Sequence, residues 1–189
     1  MTRVAGAVLA AGAGSRMGRP KAELRVAGQR LIDRAVAELR AAGCEPVLAV
    51  VRPGVAVDGA TAVVNPAPER GMRSSLALAV AAAEGAGADA LAVLLVDAPG
   101  IGAAAVRPVV AAWRPDRIAV ASFGGRRGHP TVMSPQLWRA ALELAGPDEG
   151  ARELLRRRPD LVGEVAVSGD PSDLDTPDDL AQWQARDPS

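Results

Sequence analysis

Short Val- and Leu-rich runs alternate along this chain with Ala-rich stretches of helical periodicity, and no other feature restricts the fold as much. Runs 4–10, 46–51, 62–64, 90–96, 117–121 and 163–167 are nearly continuous in apolar residues. Strands patterned that way are covered on both faces, as in parallel sheets flanked by helices. Residues 31–42, 74–84, 103–113, 135–144 and 151–157 read as the intervening helices, with Ile32, Ala35, Val36 and Leu39 at helical spacing. Gly43 and Gly85 stand where C-terminal caps belong. Thr176-Pro177-Asp178-Asp179 is a helix start, with a capping hydroxyl, a proline in the first turn and acids at the positive pole. The pattern predicts an α/β three-layer sandwich with a mostly parallel central sheet.

The 189 residues suit a single domain, 1–189, with a core of about 3–184 and no linker, repeat or low-complexity insert. A hydrophobic fraction of 49% is ample for one packed core, and a net charge of +0 argues against general nucleic-acid binding. Aromatic residues make up 2%, too few for a base-stacking single-strand binder. Cys44 is the only cysteine, so no internal disulfide forms, which fits a reducing cytoplasm. Arg3 followed by apolar residues 4–13 has the outline of a signal peptide, but the run dissolves into Gly and Arg without a cleavage region and reads as a buried strand. No run is long enough to span a membrane.

Ligands of such sheets bind outside the carboxyl ends of the strands, which directs attention to loops 11–20, 65–73 and 97–102. The first contains Gly12, Gly14, Ser15, Arg16, Gly18 and, at its end, Lys21, the only lysine in the chain. It is neither a dinucleotide fingerprint, since Met17 replaces the third glycine, nor a Walker A loop. Its glycines still let backbone N–H groups approach an anion, Arg16 supplies a planar fork, and Lys21 a point charge. A solvated Gly-rich turn is the plainer reading; the glycine spacing, Arg16 and the lone lysine together favour phosphate. In the second loop Asn65, the only asparagine, follows a strand and precedes Ser74 and Ser75. Its amide suits a base edge or ribose hydroxyl, whereas the bland alternative is a turn former before Pro66 with Ser74 as a helix cap. In the third, Asp97 ends a buried strand, where Mg²⁺ needs only one or two carboxylates beside phosphate oxygens and water. His129, the only histidine, lies in Gly128-His129-Pro130, with no second His or free Cys pattern for zinc. Gly150-Ala151-Arg152 and Asp173-Leu174-Asp175-Thr176 complete the set; Asp175 either approaches the metal of Asp97 or helps cap the last helix.

Taken in order, LAAGAGSRMGRPK, NPAPERGMRSSL, GHP, DEGAR and DLDTPDDL resemble the MobA-like nucleotidyltransferases over residues 8–180, and most closely the molybdenum cofactor cytidylyltransferase branch. Lys21, Asn65, His129 and the internal methionines Met17, Met72 and Met133 all fall inside these motifs. The resemblance implies a Rossmann-like fold of the nucleotide-diphospho-sugar transferase type and a Mg²⁺-dependent transfer of CMP from CTP (or GMP from GTP) to a phosphorylated acceptor, with pyrophosphate leaving. It implies catalysis by Arg16, Lys21 and Asp97, metal binding by Asp97 and Asp175, and nucleotide binding by Leu9, Ala10, Ala11, Gly12, Gly14, Ser15, Gly18, Asn65, Ser74 and Ser75. His129, Pro130 and Arg152 would hold the acceptor, a molybdopterin or another phosphorylated small molecule, with a molybdoenzyme as downstream partner. The guanylyl branch has Gly-Gly where Ala10-Ala11 stand here, so two extra methyls should favour a pyrimidine. Ala98 replaces the bulkier residue that the family usually carries after its metal aspartate. The alternatives are a guanylyltransferase, a sugar- or isoprenoid-phosphate nucleotidyltransferase, a non-catalytic cofactor carrier, and a nucleotide-binding regulatory domain.

Overall fold

A computed structural model describes residues 2–186. The first strand, β1 (Val4–Leu9), is buried along its whole length. A small antiparallel ribbon follows, β2 (Arg25–Val26) and β3 (Gln29–Arg30), turning through Ala27 and Gly28, both at positive φ. Then come α1 (Leu31–Ala41), β4 (Val47–Val51), β5 (Thr61–Val64), α2 (Met72–Gly85), β6 (Ala90–Leu95), α3 (Ala103–Ala112) and β7 (Ile118–Phe123). The remainder is β8 (Arg126–Met133), α4 (Pro135–Leu144), α5 (Arg152–Arg157), β9 (Val162–Ala166) and α6 (Pro177–Arg186).

The main sheet has the order β5-β4-β1-β6-β8-β7-β9. β1 pairs in parallel with β4 and β6, β4 with β5, and β7 with β9; β8 alone runs antiparallel, between β6 and β7. Two apolar layers cover the sheet. Val8, Val36, Leu39, Val106 and Trp113 belong to the face packed by α1 and α3. Leu9, Leu76, Val80, Met133 and Trp138 belong to the face packed by α2 and α4. The three-layer, mostly parallel sandwich expected from the alternation is therefore the observed one.

Four local expectations need correction. The segment around His129 is a strand: β8 begins with Arg126-Arg127-Gly128-His129-Pro130, a charged and proline-containing start that hides it, and only Pro130–Met133 are buried. Its register against β7 shifts between Val120 and Ala121, so His129 and Pro130 form a bulge, the usual place for a proline within a sheet. The edge strands β5 and β9 are largely exposed, unlike the covered interior strands. α2 starts at Met72 with Gly71 as its cap, not at the serines; Ser74 instead donates back to the Gly71 carbonyl at 2.8 Å. Gly85 is the last residue of α2, and the left-handed C-terminal residue is Gly87, with φ of 68°. Gly43, at φ of 90°, closes α1 as expected. So does the start of α6: Asp179 Oδ2 accepts from the Thr176 amide at 2.8 Å while Thr176 Oγ1 accepts from the Asp179 amide at 3.2 Å, a reciprocal capping box.

Candidate active site

β1 delivers the chain at Leu9 into a loop whose shape depends on one glycine. Gly14 has φ of 61° and ψ of 41°, and a Cβ there would lie 2.0 Å from the Arg19 carbonyl oxygen. Only glycine allows both the left-handed backbone and that contact. A 3-10 turn, Ser15–Met17, follows and ends on Gly18 at φ of 68°. The Met17 amide donates to the Gly14 carbonyl at 2.8 Å and the Gly18 amide to that of Ser15 at 3.4 Å, so these two N–H groups are engaged within the loop. The chain passes Pro20 and makes a second 3-10 turn at Lys21–Glu23, returning Lys21 to the carboxyl end of β1.

There the lysine meets two distant aspartates. Lys21 Nζ donates to Asp97 Oδ2 at 2.8 Å and to Asp175 Oδ1 at 2.5 Å. Arg16 Nη1 lies 3.5 Å from Asp175 Oδ2. Burial opposes the lysine charge, but the hydrogen bonds from both carboxylates and their charges outweigh it and hold the ammonium above its ordinary pKa. Asp97 follows β6, and its carbonyl accepts from the Leu174 amide at 2.7 Å, which ties the 170–175 segment across the sheet end. Asp175 is set by Asp179, whose Oδ2 accepts its amide at 3.0 Å. Asp173 joins the group: desolvation, then the charges of Asp97 and Asp175, raise its pKa, while Lys21 acts in the opposite direction.

The second carboxylate oxygen of Asp97, Oδ1, is buried and has no hydrogen-bond partner. An unsatisfied carboxylate oxygen beside a second carboxylate is the donor set that Mg²⁺ takes, completed by phosphate and water oxygens. Among the described residues no cluster of three or more His, Cys, Asp or Glu forms a protein-only cage, which a metal shared with a ligand does not need. Asp97 and Asp175 are the residues that would hold it.

These groups line a cleft of about 580 Å³. Of the residues singled out in the sequence, Leu9, Ala11, Gly12, Gly14, Ser15, Arg16, Lys21, Ser75, Asp97 and Asp175 line it. Ala10 does not: its neighbours Leu9 and Ala11 pack with the α2 face, and Ala10 with the α1 face, as alternation requires. Asn65 is 1% exposed. Its Nδ2 donates to Ser74 Oγ and Ser75 Oγ, both at 2.9 Å, and its Oδ1 accepts from the Ala67 amide at 3.0 Å. The amide thus fixes the cleft serine from behind, and Ser74 faces the far side of α2. Gly18, Pro130 and the exposed Arg152 also lie outside the lining. His129 Nδ1 is 3.2 Å from the Val93 carbonyl of β6. Since a carbonyl only accepts, that nitrogen carries the proton, and Nε2 is left as the acceptor. Burial, the largest influence, lowers the His129 pKa against the opposing effects of the Val93 bond and Asp97.

Sequence reasoning missed Glu69, Met72, Leu95 and Asp148 in the lining. Asp148 gets there because loop and helix touch at Gly71, where a Cβ would meet Pro147 O at 2.4 Å and Asp148 Oδ1 at 2.6 Å. The glycine before Met72 was the available signal, though nothing near it in sequence names its neighbour.

Residues 6–162 match the MobA-like NTP transferase domain. The chain belongs to that family, and it is a nucleotidyltransferase. Among curated relatives it is 35% identical to the nicotine blue oxidoreductase of Paenarthrobacter nicotinovorans, over 92% of each chain. It is 45% identical to a probable molybdenum cofactor guanylyltransferase of Opitutus terrae, over 53% of this chain and 51% of that one. Among solved structures it is similar to the homologue of Mycobacterium tuberculosis rv0371c from Mycobacterium sp. strain JC1, with 30% identity, a TM-score of 0.83 and coverage of 97% and 96%. It is also similar to Mycobacterium tuberculosis Rv0371C in complex with manganese, with 25% identity, a TM-score of 0.74 and coverage of 97% and 99%. Among the described residues no helix is long and apolar enough to cross a membrane.

Proposed function

We propose that this nucleotidyltransferase moves CMP from CTP to a phosphorylated small molecule, molybdopterin cofactor foremost, and releases pyrophosphate. The observation that carries this reading is the convergence of Lys21, Arg16, Asp97 and Asp175 beside a glycine loop at the carboxyl end of the sheet. Lys21 and Arg16 neutralise charge on the α-phosphate and the departing pyrophosphate. The Gly12–Arg16 stretch faces the triphosphate, and Leu9, Ala11, Met72, Ser75 and Leu95 form the wall open to the base. Asp97 and Asp175 would hold Mg²⁺, which would supply charge neutralisation across the phosphates. An acceptor phosphate is already anionic, so positioning and electrostatics suffice without a general base.

Cytidine is favoured by the Ala11 methyl on the cleft wall, a modest steric preference now resting on one methyl rather than two. The cofactor acceptor is supported by the GHP and DEGAR segments and by the Opitutus terrae relative. His129, held with Nε2 as an acceptor, is read as meeting a donor group of that acceptor. The guanylyl version remains the second reading, because that relative carries a guanylyltransferase name over half of the chain. The cleft's lysine, arginine and carboxylates suit phosphate and metal charge, which favours nucleotidyl transfer over the redox activity named for the Paenarthrobacter relative. A reducing cytoplasm suits the lone, buried Cys44, whose thiol burial pushes up to about 11.

The deciding experiment is pyrophosphate release with Mg²⁺ and CTP, GTP, ATP or UTP, each with and without molybdopterin cofactor. Release with CTP only in the presence of cofactor is expected. Release with GTP instead makes the guanylyl reading correct, and nucleotide binding without any release with this cofactor removes molybdopterin as the acceptor.

A further inference from the structure

The ammonium of Lys21 stands where a metal ion bridging Asp97 and Asp175 would stand. It is 2.8 Å from Asp97 Oδ2 and 2.5 Å from Asp175 Oδ1. A Mg²⁺ held by these two carboxylates, with Asp97 Oδ1 among its ligands, would lie against the same ammonium, and the two like charges would repel at close range. The two cations cannot share the seat. We propose that Lys21 is the resident cation of this carboxylate pair and leaves it only when a triphosphate draws the ammonium away, so that divalent metal enters with the nucleotide and not before it.

Three features make the exchange work. Lysine carries its charge on a flexible four-carbon stem, so the ammonium can swing to a phosphate while its backbone stays in the Lys21–Glu23 turn. If the lysine left alone, Asp97, Asp173 and Asp175 would face one another with only Arg16, 3.5 Å from Asp175, to offset them. Its departure therefore requires a replacement cation. Asp97 Oδ1, buried and without a partner while Lys21 is seated, is a ready ligand for that replacement. Anion and dication thus arrive together: the first attracts the lysine and the second fills the place it leaves. Lys21 acts in this step as a positioning residue for the metal, in addition to neutralising phosphate.

The inference deepens the nucleotidyl-transfer reading, but its test depends on neither base nor acceptor. Mn²⁺ binding is followed by electron paramagnetic resonance and calorimetry on the full chain, first with Mn²⁺ alone. If the lysine-out state holds about 1–10% of the molecules, apparent affinity is reduced about 10- to 100-fold. Lys21→Met should accordingly bind Mn²⁺ alone at least about tenfold more tightly than wild type, and Lys21→Met/Asp97→Asn should lose the gain. Lys21→Arg keeps a cation at the seat and should stay as weak as wild type. Wild type should gain Mn²⁺ affinity when inorganic triphosphate is added, beyond what binding of Mn²⁺ to triphosphate in solution explains. Equal Mn²⁺ affinity in wild type and Lys21→Met overturns the proposal. Should Lys21→Met fail to fold, the wild-type measurements decide: tight one-to-one Mn²⁺ binding without triphosphate overturns it, and binding that needs triphosphate supports it. A protein that transfers no CMP but shows this metal behaviour would refute the substrate assignment while leaving the exchange intact.

Discussion

Replacing Gly14 by alanine tests whether loop shape, rather than glycine content, makes the site. The new Cβ would lie 2.0 Å from Arg19 O, 3.0 Å from Arg19 C and 3.1 Å from the Lys21 amide nitrogen. The nearest contacts are backbone, so no side chain can swing aside. Restoring ordinary separation moves the Arg19 peptide by about 1 Å, and Lys21 is two residues further along. The left-handed backbone at φ of 61° adds about 1–2 kcal/mol of strain for a residue with a Cβ. A misplacement of about 1 Å in a positioned group costs on the order of 100-fold in rate, or about 2.7 kcal/mol of transition-state stabilisation. Gly18→Ala is the control: it has φ of 68° but nothing within 4 Å of its added Cβ, so it carries the strain without the clash. Steady-state pyrophosphate release should show kcat/KM about 100-fold lower for Gly14→Ala and within a few-fold of wild type for Gly18→Ala. Thermal melting should show both about 2–8 °C below wild type, the shift that about 1–2 kcal/mol of backbone strain implies in a chain of this size. Equal losses in the two variants would refute the steric account and leave only glycine's backbone preference.

Lys21→Ala should lower turnover by about 100- to 1000-fold with the fold retained by circular dichroism, and an unchanged rate would remove the lysine from the chemistry. Asp97→Ala should abolish metal-dependent release, whereas full activity at ordinary Mg²⁺ would place the metal elsewhere. Ala11→Gly should raise GTP use relative to CTP and Ala10→Gly should not; a competition assay giving the same shift for both would contradict the alternation of their side chains across the sheet. The lowered His129 pKa means that the unfolded chain binds a proton more readily than the folded one below about pH 6.5, so stability should fall as pH drops through that range and level off below the folded pKa. His129→Gln should flatten that part of a denaturant-midpoint profile, and an unaltered slope would show that other groups govern it.

The interior strands were legible because they are covered on both faces, and their Val- and Leu-rich runs say so directly. β8 was not, since its first half carries arginines, a glycine and a proline, and becomes a strand only through pairing with β6 and β7. Tertiary pairing overrode local preference there. At the site, the lone Lys21 and the strand-end Asp97 stood out in sequence. Their direct contact did not, because it depends on how the Lys21–Glu23 turn folds back. The tie between Asp97 and Asp175 was left open for the same reason: it needs the Leu174 amide to reach the Asp97 carbonyl, a contact with no sequence signature. Asn65 looked like a reader of ligands because amides often are, yet burial gave it serines and backbone to hold. Ala10 and Ala11 looked like a pair, and strand alternation separates them.

The lysine's two partners are 76 and 154 residues away along the chain. Early, middle and late stretches must all reach register before the charged centre exists. A chain without Asp175, or one in which residues 170–175 have yet to settle, holds the glycine loop with Lys21 paired to Asp97 alone. The charged centre thereby reports that the segment carrying Asp175 has docked against the end of the sheet.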